Sequence, residues 1–109
     1  MPAETILSMA LEGGSCALGL HNKSGQLKEG FCADLIAVDL DQPHLYPTNN
    51  LIHTLVESVS SQDVIHSIAA GKFLMKNREI LTLDEEKIRF EAHSWLTKNH
   101  LMEDELCYR

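Results

Sequence analysis

The chain has 109 residues, of which 44% are hydrophobic and 23% are charged, and this composition is typical of a single globular domain. Its formal net charge of −7 argues against nucleic acid and anionic membranes as partners, because phosphate recognition needs clustered Lys and Arg side chains. No apolar run approaches the ~20 residues of a membrane span. The three widely spaced cysteines, Cys16, Cys32 and Cys107, predict reduced thiols and a cytoplasmic location.

The first predicted element is a helix from Pro2 to Leu20. Its polar side chains recur at i, i+4, i+8 and i+11, which places Glu4, Ser8, Glu12 and Ser15 in one narrow stripe. Almost all other positions are apolar, so we expect this helix to pack between two neighbours. Gly13 and Gly14 each weaken a helix by roughly 1 kcal/mol relative to Ala, and such a pair is typical of a break or a close contact.

The stretch from Gly25 to Asp41, GQLKEGFCADLIAVDLD, predicts two glycine-closed turns followed by a strand from Asp34 to Leu40. The strand carries apolar side chains on both faces, so it requires cover on both sides. Asp34 precedes the apolar run and is expected to accept backbone N–H bonds that fix the turn before the strand. This structural interpretation is favoured over a catalytic one.

The second half of the chain predicts a short helix, a small antiparallel meander and a longer helix. In chain order these are a helix at Leu51–Ser58 capped by Asn49 or Asn50 (with a strand as the alternative), a strand at Asp63–Ala70, a turn at Gly71-Lys72, a strand at Phe73–Lys76, a turn at Asn77-Arg78 and a strand at Glu79–Leu81. A capping box formed by Thr82 and Glu85 predicts the start of the second long helix, which is expected to reach about Asn99. The acidic tail HLMEDELCYR is expected to fray.

No motif for catalysis or ligand binding is visible. The six histidines form no H-x-H, H-E-x-x-H or helical i, i+4 pair: His21, His44, His53, His66, His93 and His100. The cysteines form no C-x-x-C, and Ser15 lacks the G-x-S-x-G elbow. The acidic run Asp84–Glu86 is interpreted as a first helical turn matched to the helix dipole. The sequence therefore predicts no catalytic, cofactor-binding or metal-binding residue in this chain.

Three segments taken in order resemble the C-terminal end of a metal-dependent amidohydrolase: PAETILSMALEGGSCALGL, GQLKEGFCADLIAVDLD and VIHSIAAGKFLMKNREILTLDEEKI. They are most similar to the subgroup that contains 5-methylthioadenosine/S-adenosylhomocysteine deaminases, often labelled chlorohydrolases, and related guanine and cytosine deaminases. The resemblance covers roughly residues 2–95. Each separate motif is weak, but their combination in this order and at these distances is fairly specific.

The resemblance implies an α+β chain cut from a larger enzyme. In that family a (β/α)8 barrel is joined to a smaller β-sandwich built from both chain ends. Residues 1–22 would be the last helix of the missing barrel, residues 23–82 a partial β-sandwich, and residues 83–109 a C-terminal helix with an acidic tail. The family's metal ligands, an H-x-H, further histidines and an Asp, would all lie upstream of Met1. Zinc or another divalent metal is thus expected in the full-length family, and none on this chain.

Two functional hypotheses follow. The first is a structural C-terminal fragment of an amidohydrolase whose full-length form deaminates a purine-type base or nucleoside with metal-activated water. The second is a stand-alone, non-catalytic binding or oligomerisation module. A small enzyme using Cys or His has no motif behind it. Both hypotheses predict self-association as a dimer or domain swap, through the first helix or an edge strand, because apolar faces and strand edges lack partners within the chain.

Overall fold

A computed structural model describes residues 1–99 and 101 as a mixture of helices with one four-stranded antiparallel sheet. The elements in chain order are α1 (Ala3–Ser8), a π-helical segment (Met9–Gly13), α2 (Gly14–Ala17), β1 (Leu35–Val38), a 3-10 turn (Pro43–Leu45), α3 (Leu51–Glu57), a second 3-10 turn (Ser61–Asp63), β2 (Val64–Ala69), β3 (Lys72–Lys76), β4 (Glu79–Ile80) and α4 (Glu85–Lys98). The sheet order is β1-β2-β3-β4, so strands that follow each other in sequence are neighbours in the sheet.

The first helix differs from its prediction in length and in regularity. It ends at Ala17 instead of Leu20, and α1 and α2 are joined without interruption by the π-helical segment. Ser15, a member of the predicted polar stripe, is only 7% exposed, and its hydroxyl donates a 2.7 Å hydrogen bond to the carbonyl oxygen of Ser24. Part of the polar stripe therefore faces the following loop.

Gly25 brings that loop into contact with the π-helical segment. Its φ of +94° lies in the left-handed region, and a Cβ placed there would stand 2.9 Å from both the Leu11 carbonyl oxygen and the Ser15 Cβ. The adjacent Gln26 amide donates to the Glu12 carboxylate at 2.9 Å. A glycine is required here both for the backbone angle and for the close approach.

The first strand of the sheet is shorter than predicted, and one of the two turns between the later strands lies where the sequence placed it. The predicted strand at residues 34–40 is reduced to Leu35–Val38, with an irregular register between Ala37 and Val38. Asn77 and Arg78 have φ values of +50° and +64°, which confirms the predicted two-residue hairpin turn. The earlier turn lies at Ala70-Gly71 instead of Gly71-Lys72, because Lys72 is already paired with Ala69.

The two later helices are each capped at the N-terminus by a side chain, and the sequence predicted only one of these caps correctly. The Asn50 side chain accepts a hydrogen bond from the His53 N–H at 3.2 Å, which confirms the predicted cap of α3. The predicted Thr82 capping box is wrong: α4 begins one residue after Asp84, whose carboxylate accepts the Lys87 N–H at 3.0 Å. Asp is as good an N-cap as Thr, and this register leaves no role for Thr82. Of the predicted frayed tail, only Leu101 lies among the described residues.

Very little of the chain is buried. Ala3 and Leu45, each 3% exposed, are the buried apolar residues among those described, and no large side chain there is fully buried. The chain exposes 9110 Å², whereas a folded monomer of its 12.2 kDa mass exposes roughly 6,100 Å². No helix in residues 1–99 has the length and apolarity needed to cross a membrane.

The two faces of the sheet show where cover is missing. Directly paired residues point to the same face, so Leu35, Ile68 and Phe73 share one face and Ile36 shares the other with Ser67. Phe73 is 43% exposed and Ile36 is 59% exposed. The sheet is therefore a single layer with exposed apolar side chains on both sides.

Candidate functional site

A cleft of about 610 Å³ opens beside the turn that leads into β2. Its lining joins the two 3-10 turns to the β3–β4 hairpin and consists of Gln42, His44, Ser61, Gln62, Asp63, Val64, Met75 and Arg78. The groups in this lining that could carry chemistry are the Asp63 carboxylate, the His44 imidazole and the Arg78 guanidinium. The hydrogen bonds of these three groups show whether each is available for catalysis.

Asp63 is the buried centre of this cluster, with a side chain only 3% exposed. Its Oδ2 accepts hydrogen bonds from the Ser60 N–H at 2.8 Å, the Ser60 hydroxyl at 3.2 Å and His44 Nε2 at 3.0 Å. The Ser60 amide lowers the pKa of Asp63 most, and His44 and the Ser60 hydroxyl lower it further, against the opposing effect of burial. The carboxylate is therefore held in its ionised form.

The order of these three groups does not suit nucleophilic catalysis. A hydrolytic triad places the imidazole between hydroxyl and carboxylate, so that the imidazole can take the hydroxyl proton. Here the Asp63 carboxylate lies between Ser60 and His44, and both bond to the same oxygen. The trio instead fastens the Pro43–Leu45 turn to the Ser61–Asp63 turn, and Leu45 is one of the buried apolar residues.

Arg78 lines the other side of the cleft, and its side chain links two neighbouring segments through hydrogen bonds. Its Nε donates to the Gln62 carbonyl oxygen at 3.2 Å, and its Nη2 donates to Asp39 Oδ2 at 3.4 Å. The Asp41 N–H lowers the pKa of Asp39 most, and Gln42 and Arg78 also lower it. Arg78 has the left-handed backbone that usually favours Gly or Asn, and these side-chain bonds explain why an arginine is tolerated there.

Asp34, weighed as a site residue from the sequence, has a structural role with long-range partners. Its Oδ1 accepts the Ala70 N–H at 2.8 Å and its Oδ2 accepts the Ser24 hydroxyl at 3.0 Å. The Gly71 N–H also donates to the Ala33 carbonyl oxygen at 3.0 Å. Asp34 thus ties the β2–β3 turn to the loop beside the first helix, whereas the sequence suggested that it bonds the amides of its own turn.

Two further histidines, His66 and His53, make contacts of their own away from the cleft. His66 Nδ1 accepts the Asn77 N–H at 3.1 Å, and its ring meets Phe73 edge-on. His53 Nδ1 lies 3.3 Å from a Glu57 carboxylate oxygen. Across residues 1–99 and 101, no three His, Cys, Asp or Glu side chains come close enough to share a metal ion.

Among the described residues, two carboxylates in and beside the cleft are already bonded to protein groups. Asp63 Oδ2 already accepts three hydrogen bonds, and Asp39 is bonded by Asp41, Gln42 and Arg78. Cys16 and Cys32 are free, exposed thiols, and Cys107 lies outside the described residues.

The cluster around Asp63 was not predicted from the sequence. The predicted helix ends at Ser58 and the next predicted strand begins at Asp63, so residues 59–62 were assigned to no element. The spacing Ser60-x-x-Asp63 was an available signal, because a hydroxyl followed three residues later by a carboxylate is typical of a reciprocal cap. The partnership with His44, nineteen residues away, had no local signal.

Comparison with known proteins identifies the class. The model of the amidohydrolase family matches residues 1–74, and the chain belongs to this family. The 5-methylthioadenosine/S-adenosylhomocysteine deaminase of Dictyoglomus thermophilum is 52% identical over 92 residues, which cover 84% of this chain and 21% of the relative. The protein of the same name from Syntrophobacter fumaroxidans is 45% identical over 98 residues, covering 86% and 22%. The resemblance predicted from the sequence is confirmed.

Solved structures agree on the fold. A zinc-bound adenosine deaminase from Xanthomonas campestris aligns with a TM-score of 0.83 and 28% identity, over 93% of this chain and 23% of that one. A triazine hydrolase variant aligns with a TM-score of 0.75 over 86% of this chain and 20% of that one, and its 24% identity supports the fold alone. The chain spans about a fifth of the length of the curated relatives it matches. These matches favour the amidohydrolase hypothesis over a stand-alone module.

Proposed function

We propose that this chain is a structural C-terminal segment of an amidohydrolase whose complete form hydrolytically deaminates a purine-type base or nucleoside. One observation carries the proposal: half of the aligned residues are identical to a 5-methylthioadenosine/S-adenosylhomocysteine deaminase, over most of this chain but only 21% of the relative. The similarity to a zinc-bound adenosine deaminase supports the same substrate class. In this proposal the chain supplies scaffold, and the reaction takes place on residues outside it.

The exposed apolar surface supports a division into three parts. Residues 1–22 would be the last helix of a (β/α)8 barrel, residues 23–82 part of a β-sandwich, and residues 83–109 a closing helix with its tail. A stable domain needs at least two packed layers, and the sheet of this chain forms one layer. A second layer against Ile36 or Phe73 would complete the sandwich and remove their exposed surface from water.

The first helix supports the same division. Met9 is 59% exposed and Leu11 is 51% exposed, although the sequence predicted a helix packed between two neighbours. A barrel helix is covered by its strand layer on one side and by other elements on the flanks. The missing neighbours of this helix would then be the barrel strands.

The metal and the cellular location are further parts of the proposal. Family membership and the zinc-bound neighbour support zinc or another divalent metal in the complete protein. Because no three His, Cys, Asp or Glu side chains within residues 1–99 and 101 come close enough to share a metal ion, we propose that the metal ligands lie outside this chain. The free thiols of Cys16 and Cys32 are compatible with the reducing cytoplasm that the sequence predicted.

An assay of ammonia release tests the scaffold role. The 109-residue chain is incubated with zinc and with 5-methylthioadenosine, S-adenosylhomocysteine or adenosine, and the Dictyoglomus thermophilum relative serves as the positive control. We expect no release above the rate without protein. Turnover that rises with the concentration of the chain, and that survives repeated purification, would overturn the proposal.

A further inference from the structure

Helix α4 is exposed along almost its whole length. None of its fourteen residues is buried, and all except Leu96 are exposed. Trp95 is 58% exposed and Ile88 is 48% exposed. Isolated helices of this length are marginal in water, so a helix with these apolar side chains needs a packing partner.

Four of the five apolar side chains of α4 form one seam, and the fifth, Phe90, is 73% exposed and lies about 200° around the helix from Ile88. Ile88, Ala92 and Leu96 recur every four residues, and Trp95 lies three residues after Ala92, so all four occupy one side of the helix. The small side chain of Ala92 stands at the middle of the seam, with Ile88 four residues before it and Leu96 four residues after it. In a twofold contact centred on Ala92, each seam residue of one helix meets a seam residue of the other reciprocally, and the small Ala92 side chain lies at the axis.

Charge indicates a second copy as the occupant. The whole chain carries a net charge of −7, so two copies repel each other over most of their surface. Helix α4 itself is neutral, because three carboxylates are matched by three cations: Glu85, Glu86 and Glu91 against Lys87, Arg89 and Lys98. Its first turn is acidic and its last turn is basic, so an antiparallel pair places unlike ends together and opposes the two helix dipoles.

We propose that α4 is a homodimerisation helix that packs antiparallel against α4 of a second copy, about a twofold axis at Ala92. In this pair Ala92 meets its own copy, and Ile88 packs beside Trp95 of the second copy. The helix is about 21 Å long, and a seam of this length is at the small end of specific interfaces, so the association is weak and concentration-dependent. The sequence had placed self-association at the first helix or an edge strand. This inference rests on the proposed function, which assigns those surfaces to the rest of the amidohydrolase; we place the contact between copies at α4 instead.

Sedimentation of the 109-residue chain tests the pairing. We expect a monomer–dimer equilibrium in the micromolar range, and a monomer at all concentrations for Ala92→Lys, because two ammonium groups would meet at the axis. Ser94→Lys is the matched control: it adds the same charge about 200° around the helix and should dimerise like the parent. Both positions are exposed in the monomer, so circular dichroism should show unchanged helix content. A parent that stays monomeric at high micromolar concentration, or a dimer that Ala92→Lys leaves intact, overturns the proposal.

Cross-linking locates the contact independently. In a background with Cys16, Cys32 and Cys107 replaced by Ser, Ala92→Cys should give a disulfide-linked dimer on mild oxidation. Ser94→Cys in the same background should remain monomeric. Equal cross-linking of the two variants would show that α4 is not the contact and would overturn the proposal.

Discussion

Substituting Gly25 by Ala probes the contact that joins the first helix to the sheet-forming half of the chain. The loop at Gly25 lies against the π-helical segment, where an added Cβ would stand 2.9 Å from the Leu11 carbonyl oxygen and 2.9 Å from the Ser15 Cβ. Neither neighbour is the end of a flexible side chain, so the loop must move away. That movement also weakens the 2.7 Å hydrogen bond from the Ser15 hydroxyl to Ser24.

The cost of Gly25→Ala has two parts. A non-glycine residue at a φ of +94° costs about 1–2 kcal/mol. Forcing an additional methyl group into a closed contact costs about 1–3 kcal/mol more. We therefore expect the free energy of unfolding to fall by about 2–5 kcal/mol, which is a large share of the stability of a small domain.

Gly30→Ala is the matched control, because Gly30 also has a positive φ, +84°, but has no atom within 4 Å of the added Cβ. It should cost only the backbone part, about 1–2 kcal/mol. Urea unfolding of the parent and both variants, followed by circular dichroism, gives the comparison. Equal losses in the two variants would refute the close packing of the loop against the helix.

Two further predictions concern the cleft. The lowered pKa of Asp63 means that its bonds to Ser60 and His44 stabilise the fold above its ordinary pKa of 3.8 and are lost as the pH falls through the lower, folded-state value. The unfolding free energy of Asp63→Asn should therefore fall less than that of the parent as the pH is lowered from about 5 to well below 3.8. An equal loss of stability in the two proteins over this range would contradict this role. Both Arg78→Ala and Arg78→Gly remove the side-chain bonds to Gln62 and Asp39. Only glycine adopts the φ of +64° without strain. The glycine variant should therefore have a free energy of unfolding about 1 kcal/mol higher than the alanine variant in urea. An alanine variant as stable as the glycine variant would show that this backbone carries no strain.

The features that the sequence predicted well are those set by neighbouring residues. The Asn77-Arg78 turn and the Asn50 cap each depend on a few consecutive side chains and backbone angles, and both were found as expected. The cap of α4 was misplaced because Thr82 and Asp84 are both competent N-cap residues. Local preference alone does not choose between registers two residues apart.

The features that the sequence did not predict depend on residues far apart in the chain. Asp34 was identified as a structural acceptor, but its partner at Ala70 is thirty-six residues away. The same holds for His44 and Asp63, which are nineteen residues apart and become neighbours only when the two 3-10 turns pack. The expectation that β1 needs cover on both faces came from composition, and the exposed Ile36 shows that the cover is not within the described chain.

A chimera tests the central claim most directly. In the Dictyoglomus thermophilum deaminase, the segment that aligns with this chain over 92 residues at 52% identity is replaced by the corresponding residues of this chain. If the chain is the structural C-terminal segment of such an enzyme, the chimera should fold and release ammonia from 5-methylthioadenosine within about tenfold of the parent rate, a change of about 1.4 kcal/mol or less in the barrier. A chimera that aggregates, or that folds but has lost deamination, would contradict the account.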